Sequence, residues 1–308
     1  FREEAPSLAA EIEGWADLLE RERVDFVVTA GLPHALGPAA AAAFSRRTIA
    51  VQVWHGYSEN DTIEHWRLAE WPSNLHVSPT REVERFFEGA FPDAGGRPVE
   101  VATARTFTSG YVRRRLGRTF GRGPGRVVYV PTLYSGFYDR INAAEYPDCW
   151  YYRLQDAIVR WFARRDDWTL VVKALPVAPG RVPDPIPLLV REIDSPRVQW
   201  SQAPLTSVLR TADRVFTDYP SSGTFEARLM GLPTLALYGC GLPMRATAKA
   251  YFGKTLVEFQ RTEEALAAID RFLEEDPAGY VIEFADEELG GELLSLLESL
   301  AARREERR

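Results

Sequence analysis

Apolar residues along this chain fall into two alternating patterns. Ser7–Glu22 places Leu8, Ile12, Trp15, Leu18 and Leu19 at helical spacing, the signature of one buried helix face. Val24–Ala30 is a compact apolar run of strand length. It ends in the loop Gly31–His34, and an alanine-rich helix is predicted over Pro38–Ser45. Further strands are predicted at Thr48–Trp54, Asn74–Val77 and Val99–Ala102, with a helix over Pro79–Gly89. Gly110–Arg126 then breaks the pattern with Arg113, Arg114, Arg115, Arg118, Arg122, Arg126 and interleaved glycines, and reads as a connection between domains.

The alternation restarts after it. Strands are predicted at Arg126–Val130, Trp168–Lys173, Val198–Trp200, Arg214–Thr217 and Thr234–Leu237. Helices are predicted at Tyr151–Arg165, Pro204–Thr211, Phe225–Met230, Thr262–Glu275 and Glu287–Arg308, and a proline-rich loop follows Pro176. Strands alternating with helices give a parallel, doubly wound α/β sheet. The expected organisation is two Rossmann-like domains, 1–118 and 119–285, and a C-terminal helix over 286–308. Such sheets hold ligands at the carboxyl ends of their strands. The segments expected there, facing one another across a cleft, are 31–34 and 55–61 in the first domain, and 131–140, 173–176, 218–224 and 238–245 in the second.

Asp218–Leu237 carries the densest signal. An apolar strand ends at Asp218, Pro220-Ser221-Ser222-Gly223 forms a turn, a short helix follows, and Gly231 is placed to cap it. A Ser/Gly turn opening a helix beside a parallel sheet presents free N–H groups and a positive dipole end, a setting for phosphate. Glu226, one turn into the helix, is placed to accept hydrogen bonds from a ribose diol. Taken alone, an ordinary βα turn accounts for this stretch equally well.

Composition narrows the classes. The chain has 308 residues, 45% hydrophobic, enough for two cores. A net charge of −7 argues against a nucleic-acid binder. Cys149 and Cys240 have neither disulfide nor metal spacing, and suit a reducing, cytoplasmic setting. No apolar run approaches the ~20 residues of a spanning helix. The start at Phe1, without Met, leads us to expect an upstream segment and an incomplete first domain. The eight Trp fit core packing or a carbohydrate-related cleft.

Four motifs together resemble one family. Val53-Trp54-His55-Gly56, Tyr129-Val130-Pro131-Thr132, Thr217-Asp218-Tyr219-Pro220-Ser221-Ser222 and Glu226-Ala227 with Gly231-Leu232-Pro233 are similar to the CDP-glycerol glycerophosphotransferases. These are teichoic-acid and capsule polymerases of the GT-B glycosyltransferase fold. The Glu226–Pro233 segment is shared more widely, with GT-B glycosyltransferases and UDP-sugar 2-epimerases. The resemblance implies a nucleotide-diphosphate donor in the second domain and an acceptor on the first. It makes His55 the base, Ser221, Ser222 and Gly223 the phosphate turn, and Glu226 the ribose acid. The chain departs from the family in two places. Lys173-Ala174-Leu175-Pro176 stands where the family carries a histidine, and Tyr57-Ser58-Glu59-Asn60 replaces its Thr-Pro-Leu-Lys.

Transfer from a nucleotide donor requires stabilisation of the leaving phosphate and removal of the acceptor proton. Of the four histidines, His55 and His34 follow strands on the expected cleft side, while His65 and His76 read as structural. A neutral imidazole suits the base. Glu59 and Asp61 follow His55 closely, placed to orient it, to act as an alternative base or to hold a metal, though such acids are more often solvated loop residues. Lys173, the turn Ser221–Thr224 and Arg245 are the phosphate candidates, and Thr132 and Tyr134 lie in the first loop of the second domain. Asp218 reads as holding its loop. No Asp-x-Asp pair ends a strand, so no metal and no cofactor beyond the donor are expected.

The expected function is transfer of a glycosyl or alditol-phosphate group from a CDP-, CMP- or UDP-linked donor to a glycan or lipid-linked hydroxyl. A nucleotide-sugar 2-epimerase and a non-catalytic nucleotide-binding module remain alternatives. Peripheral membrane contact is expected through Arg113–Arg126 or the C-terminal helix.

Overall fold

The structure is a computed structural model that describes residues 5–29, 35–53, 72–78, 81, 100–105, 120, 124–132, 134, 148–173, 184–239, 249, 252–282 and 290–305. The chain divides into two compact units, Phe1–Gly110 with Phe284–Arg308, and Tyr111–Glu283.

The first unit opens with helix α1 (Ala5–Arg21), strand β1 (Phe26–Thr29), helix α2 (Leu36–Phe44), and strands β2 (Ile49–Val53), β3 (Leu75–Ser78) and β4 (Glu100–Arg105). Five consecutive buried alanines, Ala39–Ala43, give α2 a smooth face. That face packs with Leu19 of α1 and Ala50 of β2. Asn74 fastens this corner. Its Oδ1 accepts from the Ala50 N–H at 2.9 Å, and its Nδ2 donates to the Ala43 carbonyl at 3.1 Å, satisfying a helix-terminal carbonyl.

The second unit contains β5 (Arg126–Val130), α3 (Asp148–Ala163), β6 (Thr169–Lys173), α4 (Ile186–Ile193), β7 (Val198–Ser201), α5 (Leu205–Leu209), β8 (Arg214–Thr217), α6 (Ser222–Leu229), β9 (Thr234–Gly239), β10 (Leu256–Phe259) and α7 (Thr262–Glu274). Its six strands run parallel in the order β10-β9-β8-β5-β6-β7. Counted from β5, that order is 3-2-1-4-5-6, the doubly wound arrangement whose direction of winding reverses between its first and fourth strands. Here the reversal lies between β5 and β8.

One face of this sheet packs under α3, α4 and α7, around Tyr129, Leu170, Val172, Phe216, Ile158, Phe162 and Phe272. Tyr129 and Phe216, paired in register on β5 and β8, stack at 4.6 Å. The fully buried Arg214 is structural. Its guanidinium donates to the carbonyls of Phe272 and Glu275 at the end of α7, and lies over the Trp168 and Phe272 rings.

The chain then returns to the first unit as β11 (Gly291–Glu292) and α8 (Leu293–Glu305). This completes a parallel sheet in the order β1-β2-β3-β4-β11. Leu293, Leu296, Leu297 and Leu300 of α8 cover Val51, Val53, Leu75 and Val77. The apolar side of the C-terminal helix is therefore taken up within its own unit.

Most predicted elements occur, with shifted ends. The helix read over Glu287–Arg308 begins six residues later, because Gly291–Glu292 pairs with β4 first. The helix read from Phe225 starts at Ser222. Besides β11, two elements were not anticipated. α4 lies inside the proline-rich stretch, with Pro185 at its N-cap and Pro187 in its first turn, where a missing N–H costs nothing. β10 is a half-buried edge strand too short for a period to register. The predicted helix Pro79–Gly89, apart from Arg81, lies outside the described residues, as does the arginine-rich stretch 113–126 apart from residues 120 and 124–126. Among the described residues no helix is long and apolar enough to cross a membrane.

Candidate functional site

The loops that leave β5 and β8 start at the winding reversal, and one carboxylate ties them together. Asp218, 1% exposed, follows β8 directly. Its Oδ1 accepts from the Thr132 N–H at 2.6 Å and the Thr132 hydroxyl at 2.7 Å. Its Oδ2 accepts from the Tyr129 hydroxyl at 2.6 Å and from Nε2 of Gln155 at 3.0 Å. The same Gln155 amide donates to the Thr132 carbonyl at 3.0 Å, and its Oε1 accepts from the Tyr134 hydroxyl at 2.6 Å.

Four donors converge on two oxygens, which fits an ionised, acceptor-only carboxylate. Burial pushes the Asp218 pKa up, and the bonds from Tyr129, Thr132 and Gln155 oppose that rise without cancelling it. Burial, and next the charge of Asp218, hold the Tyr129 phenol well above its ordinary value. The network locks both loops to α3.

The opposite face of the same sheet edge carries the helix start. In parallel strands, residues in register share a face, so Val130, Thr217 and Lys173 lie on one side at the carboxyl ends of β5, β8 and β6. α6 begins above them with Ser221 as its N-cap. The Thr224 hydroxyl accepts from the Ser221 N–H at 3.1 Å and shares a 2.9 Å hydrogen bond with the Thr217 hydroxyl. Thr224 is fully buried, so it shapes the turn from inside.

Gly223 lets the helix approach the sheet, since a Cβ there would lie 3.0 Å from Cγ1 of Val130. Ser221 and Ser222 remain partly exposed, and the first-turn N–H groups of Ser222 and Gly223 have no acceptor within a helix. Gly231, at φ 72°, closes the other end of α6: its N–H donates to the Arg228 carbonyl at 2.8 Å and that of Leu232 to the Ala227 carbonyl at 3.1 Å. This is the Schellman pattern that the glycine signalled.

Lys173 and Glu226 form the charged part of this side. Lys173 is 3% exposed at the end of β6. Burial lowers its pKa, against the charge of Glu226. Burial pushes Glu226 up to about 7, against the charge of Lys173. Each therefore lies within electrostatic reach of the other.

The structure thus brings together Thr132 with Asp218 around one network, and Ser221, Ser222, Gly223, Thr224, Lys173 and Glu226 around the start of α6. His34, His55, Glu59 and Arg245, together with His65 and Asp61, lie outside the described residues. Sequence reading missed Tyr129, Gln155 and Thr217. Gln155 had a signal: it lies on the buried side of α3 among Tyr151, Leu154, Ile158 and Val159, where a polar residue demands partners. Among the described residues no group of three or more His, Cys, Asp or Glu is placed to hold a metal ion.

Comparison with solved structures identifies the fold. S. aureus MnaA, in a co-structure with UDP, superposes with a TM-score of 0.57 at 13% identity, covering 91% of this chain and 76% of that one. A protein from Listeria monocytogenes assigned as a UDP-N-acetylglucosamine 2-epimerase gives a TM-score of 0.57 at 16% identity, covering 98% and 79%. Sucrose-phosphate synthase from Thermosynechococcus elongatus gives 0.51 at 11% identity, covering 99% and 79%. The chain has a GT-B-like fold made of two Rossmann-like units. No protein-family model matches the chain, and no curated protein matches it by sequence.

Proposed function

We propose that this protein uses a nucleotide-activated sugar or alditol, and that the second unit grips the nucleoside diphosphate of that donor. The observation that carries this reading is the coincidence at one sheet edge of the winding reversal, a buried carboxylate that ties its two loops, and a capped helix start with Lys173 and Glu226 beside it. In this reading the N–H groups of Ser222 and Gly223 and the Lys173 ammonium meet the phosphates. Glu226 accepts from the ribose diol. Thr224, Thr132 and Asp218 act from behind as positioning residues.

The reaction is transfer to a hydroxyl. The acceptor oxygen attacks the activated carbon or phosphorus, the bond to the nucleotide phosphate breaks, and the nucleotide leaves with its electron pair. The acceptor proton passes to a base, for which the sequence offers His55. The preferred probe donors are CDP-glycerol and UDP-N-acetylglucosamine, with CMP-linked sugars, which carry a single phosphate, as the contrasting class. Product analysis with each in the presence of a glycan acceptor tests the reading, and transfer onto the acceptor supports it.

A second reading is 2-epimerisation of a nucleotide sugar. It is favoured by the likeness to a UDP co-structure and to a protein assigned as a UDP-N-acetylglucosamine 2-epimerase, both at a TM-score of 0.57. Epimerised UDP-sugar without acceptor turnover selects it.

A further inference from the structure

Lys173 and Glu226 hold opposite charges in a place that solvates neither well. Lys173 ends β6 at 3% exposure. Glu226 lies partly buried in the second turn of α6. Among the described residues no hydrogen bond and no close ion pair reaches the Glu226 carboxylate, and Lys173 acts on it through charge alone.

The surroundings offer no second counter-charge. The elements packed most closely on α6 are α5, β8 and β9. α5 carries no titratable side chain. Arg214 lies at the amino end of β8 and is bound to carbonyls of α7. Tyr238 of β9 donates to Glu258. On α6 itself, Arg228 donates to the Thr255 hydroxyl and lies over the Phe252 ring. The Asp218 carboxylate is turned into its own network on the other face of the sheet.

We propose that binding of a diphosphate at this site is coupled to uptake of one proton by the Glu226 carboxyl, so that the second unit loses hold of its nucleotide as pH rises. This coupling rests on the nucleotide reading above. Its origin is a change of partner. Phosphates that meet the Lys173 ammonium share its charge. Glu226 then stays buried, loses much of its counter-charge and gains like charges nearby, and each of these favours the neutral acid. The ribose hydroxyls donate to the carboxylate and oppose the change, but neutral dipoles do not replace a full charge. A neutral carboxyl still accepts through its carbonyl oxygen and adds a donor, so it keeps its hold on a vicinal diol. Burial already holds Glu226 at about 7 before any ligand arrives. The bound form keeps its proton to higher pH than the free form. Affinity is therefore full below the free value and falls above it, by about tenfold per pH unit, until the bound group titrates as well.

The test is calorimetric titration of the full chain with UDP-N-acetylglucosamine and CDP-glycerol at a series of pH values, in pairs of buffers with different heats of ionisation. Each phosphate of these donors is linked on two sides and keeps its charge across the series, whereas a terminal phosphate such as that of UDP ionises at about pH 6. For each donor that binds, the dissociation constant should rise about tenfold between about pH 6 and about pH 8, with about one proton taken up per nucleotide at the upper end. Glu226→Gln should show no such rise and take up no proton, whatever its affinity. The proton count on the wild type needs no variant to fold. Uptake that persists in Glu226→Gln belongs to Lys173 and overturns the proposal, as does a flat wild-type profile with nucleotide bound. Neither outcome touches the nucleotide reading. Absence of binding of both donors at every pH overturns both.

Discussion

Asp218→Asn is the most informative single change in the second unit, because it alters charge and donor pattern while keeping shape. The carboxylate accepts four hydrogen bonds, at 2.6, 2.7, 2.6 and 3.0 Å. With the asparagine oxygen in place of Oδ1, both bonds from Thr132 survive in weaker, uncharged form. The new NH2 group then faces the Tyr129 hydroxyl and the Gln155 amide. Tyr129 can turn its proton away and accept, but Nε2 of Gln155 cannot. One charge-assisted bond is lost, leaving a donor facing a donor, and the other three bonds lose their charge assistance. At about 1.5–3 kcal/mol for a hydrogen bond to a charged group, the net loss is about 3 kcal/mol. Urea unfolding at neutral pH followed by circular dichroism measures it. Tyr129→Phe alone should cost about 1 kcal/mol, and the double variant should cost less than the sum, since both changes act on the one Tyr129–Asp218 bond. The same Asp218→Asn protein should bind nucleotide more weakly, because the loops after β5 and β8 lose their common anchor. Stability within about 0.5 kcal/mol of wild type, below what any one of these bonds contributes, would refute the ionised hub.

Three further outcomes follow from the same geometry. Glu226 has its pKa raised from 4.5 to about 7, so the folded protein keeps a proton that the unfolded chain releases. Its contribution to stability is present in full below pH 4.5 and is lost as pH rises through 7, by about 3 kcal/mol, and unfolding of Glu226→Gln across that window should lack this slope. In Gly223→Ala the new Cβ sits 3.0 Å from Cγ1 of Val130; crowding of about 1–3 kcal/mol opposes a helix-propensity gain of about 1 kcal/mol, so calorimetry should show at most modest destabilisation while nucleotide affinity falls, and Val130→Ala should restore both. His55→Ala should abolish product formation in the transfer assay and leave nucleotide affinity near wild type.

How legible each feature was depended on the length of the signal that carried it. The apolar runs of β5, β6, β8 and β9 announced a parallel sheet, and Gly231 announced the end of α6, because each rule acts within a few residues. The strand order did not follow from the sequence, since which strand lies beside β5 depends on pairing across 87 positions, from Val127 to Arg214. The site was legible on its α6 side, where Ser221–Glu226 is contiguous. On its Asp218 side only the acid's loop-holding role was legible; its partners were not, because Tyr129, Thr132, Gln155 and Asp218 come from three separate segments. His76, read as structural, is fully buried beside Gln52 on the first sheet. A lone glutamine in an apolar strand gave no sign that its amide would be buried without a hydrogen-bond partner among the described residues.

The central claim is that the edge of the second sheet binds a nucleoside diphosphate, and calorimetric titration with UDP, CDP and CMP against uridine tests it most directly. A helix N-terminus contributes about 0.3–1 kcal/mol toward an anion, and charge-assisted hydrogen bonds about 1.5–3 kcal/mol. A nucleoside diphosphate should therefore bind about a hundredfold more tightly than uridine, with the advantage reduced in Lys173→Met and the ribose contribution reduced in Glu226→Gln. Equal affinity for uridine and UDP, or no binding of any diphosphate, would contradict the account.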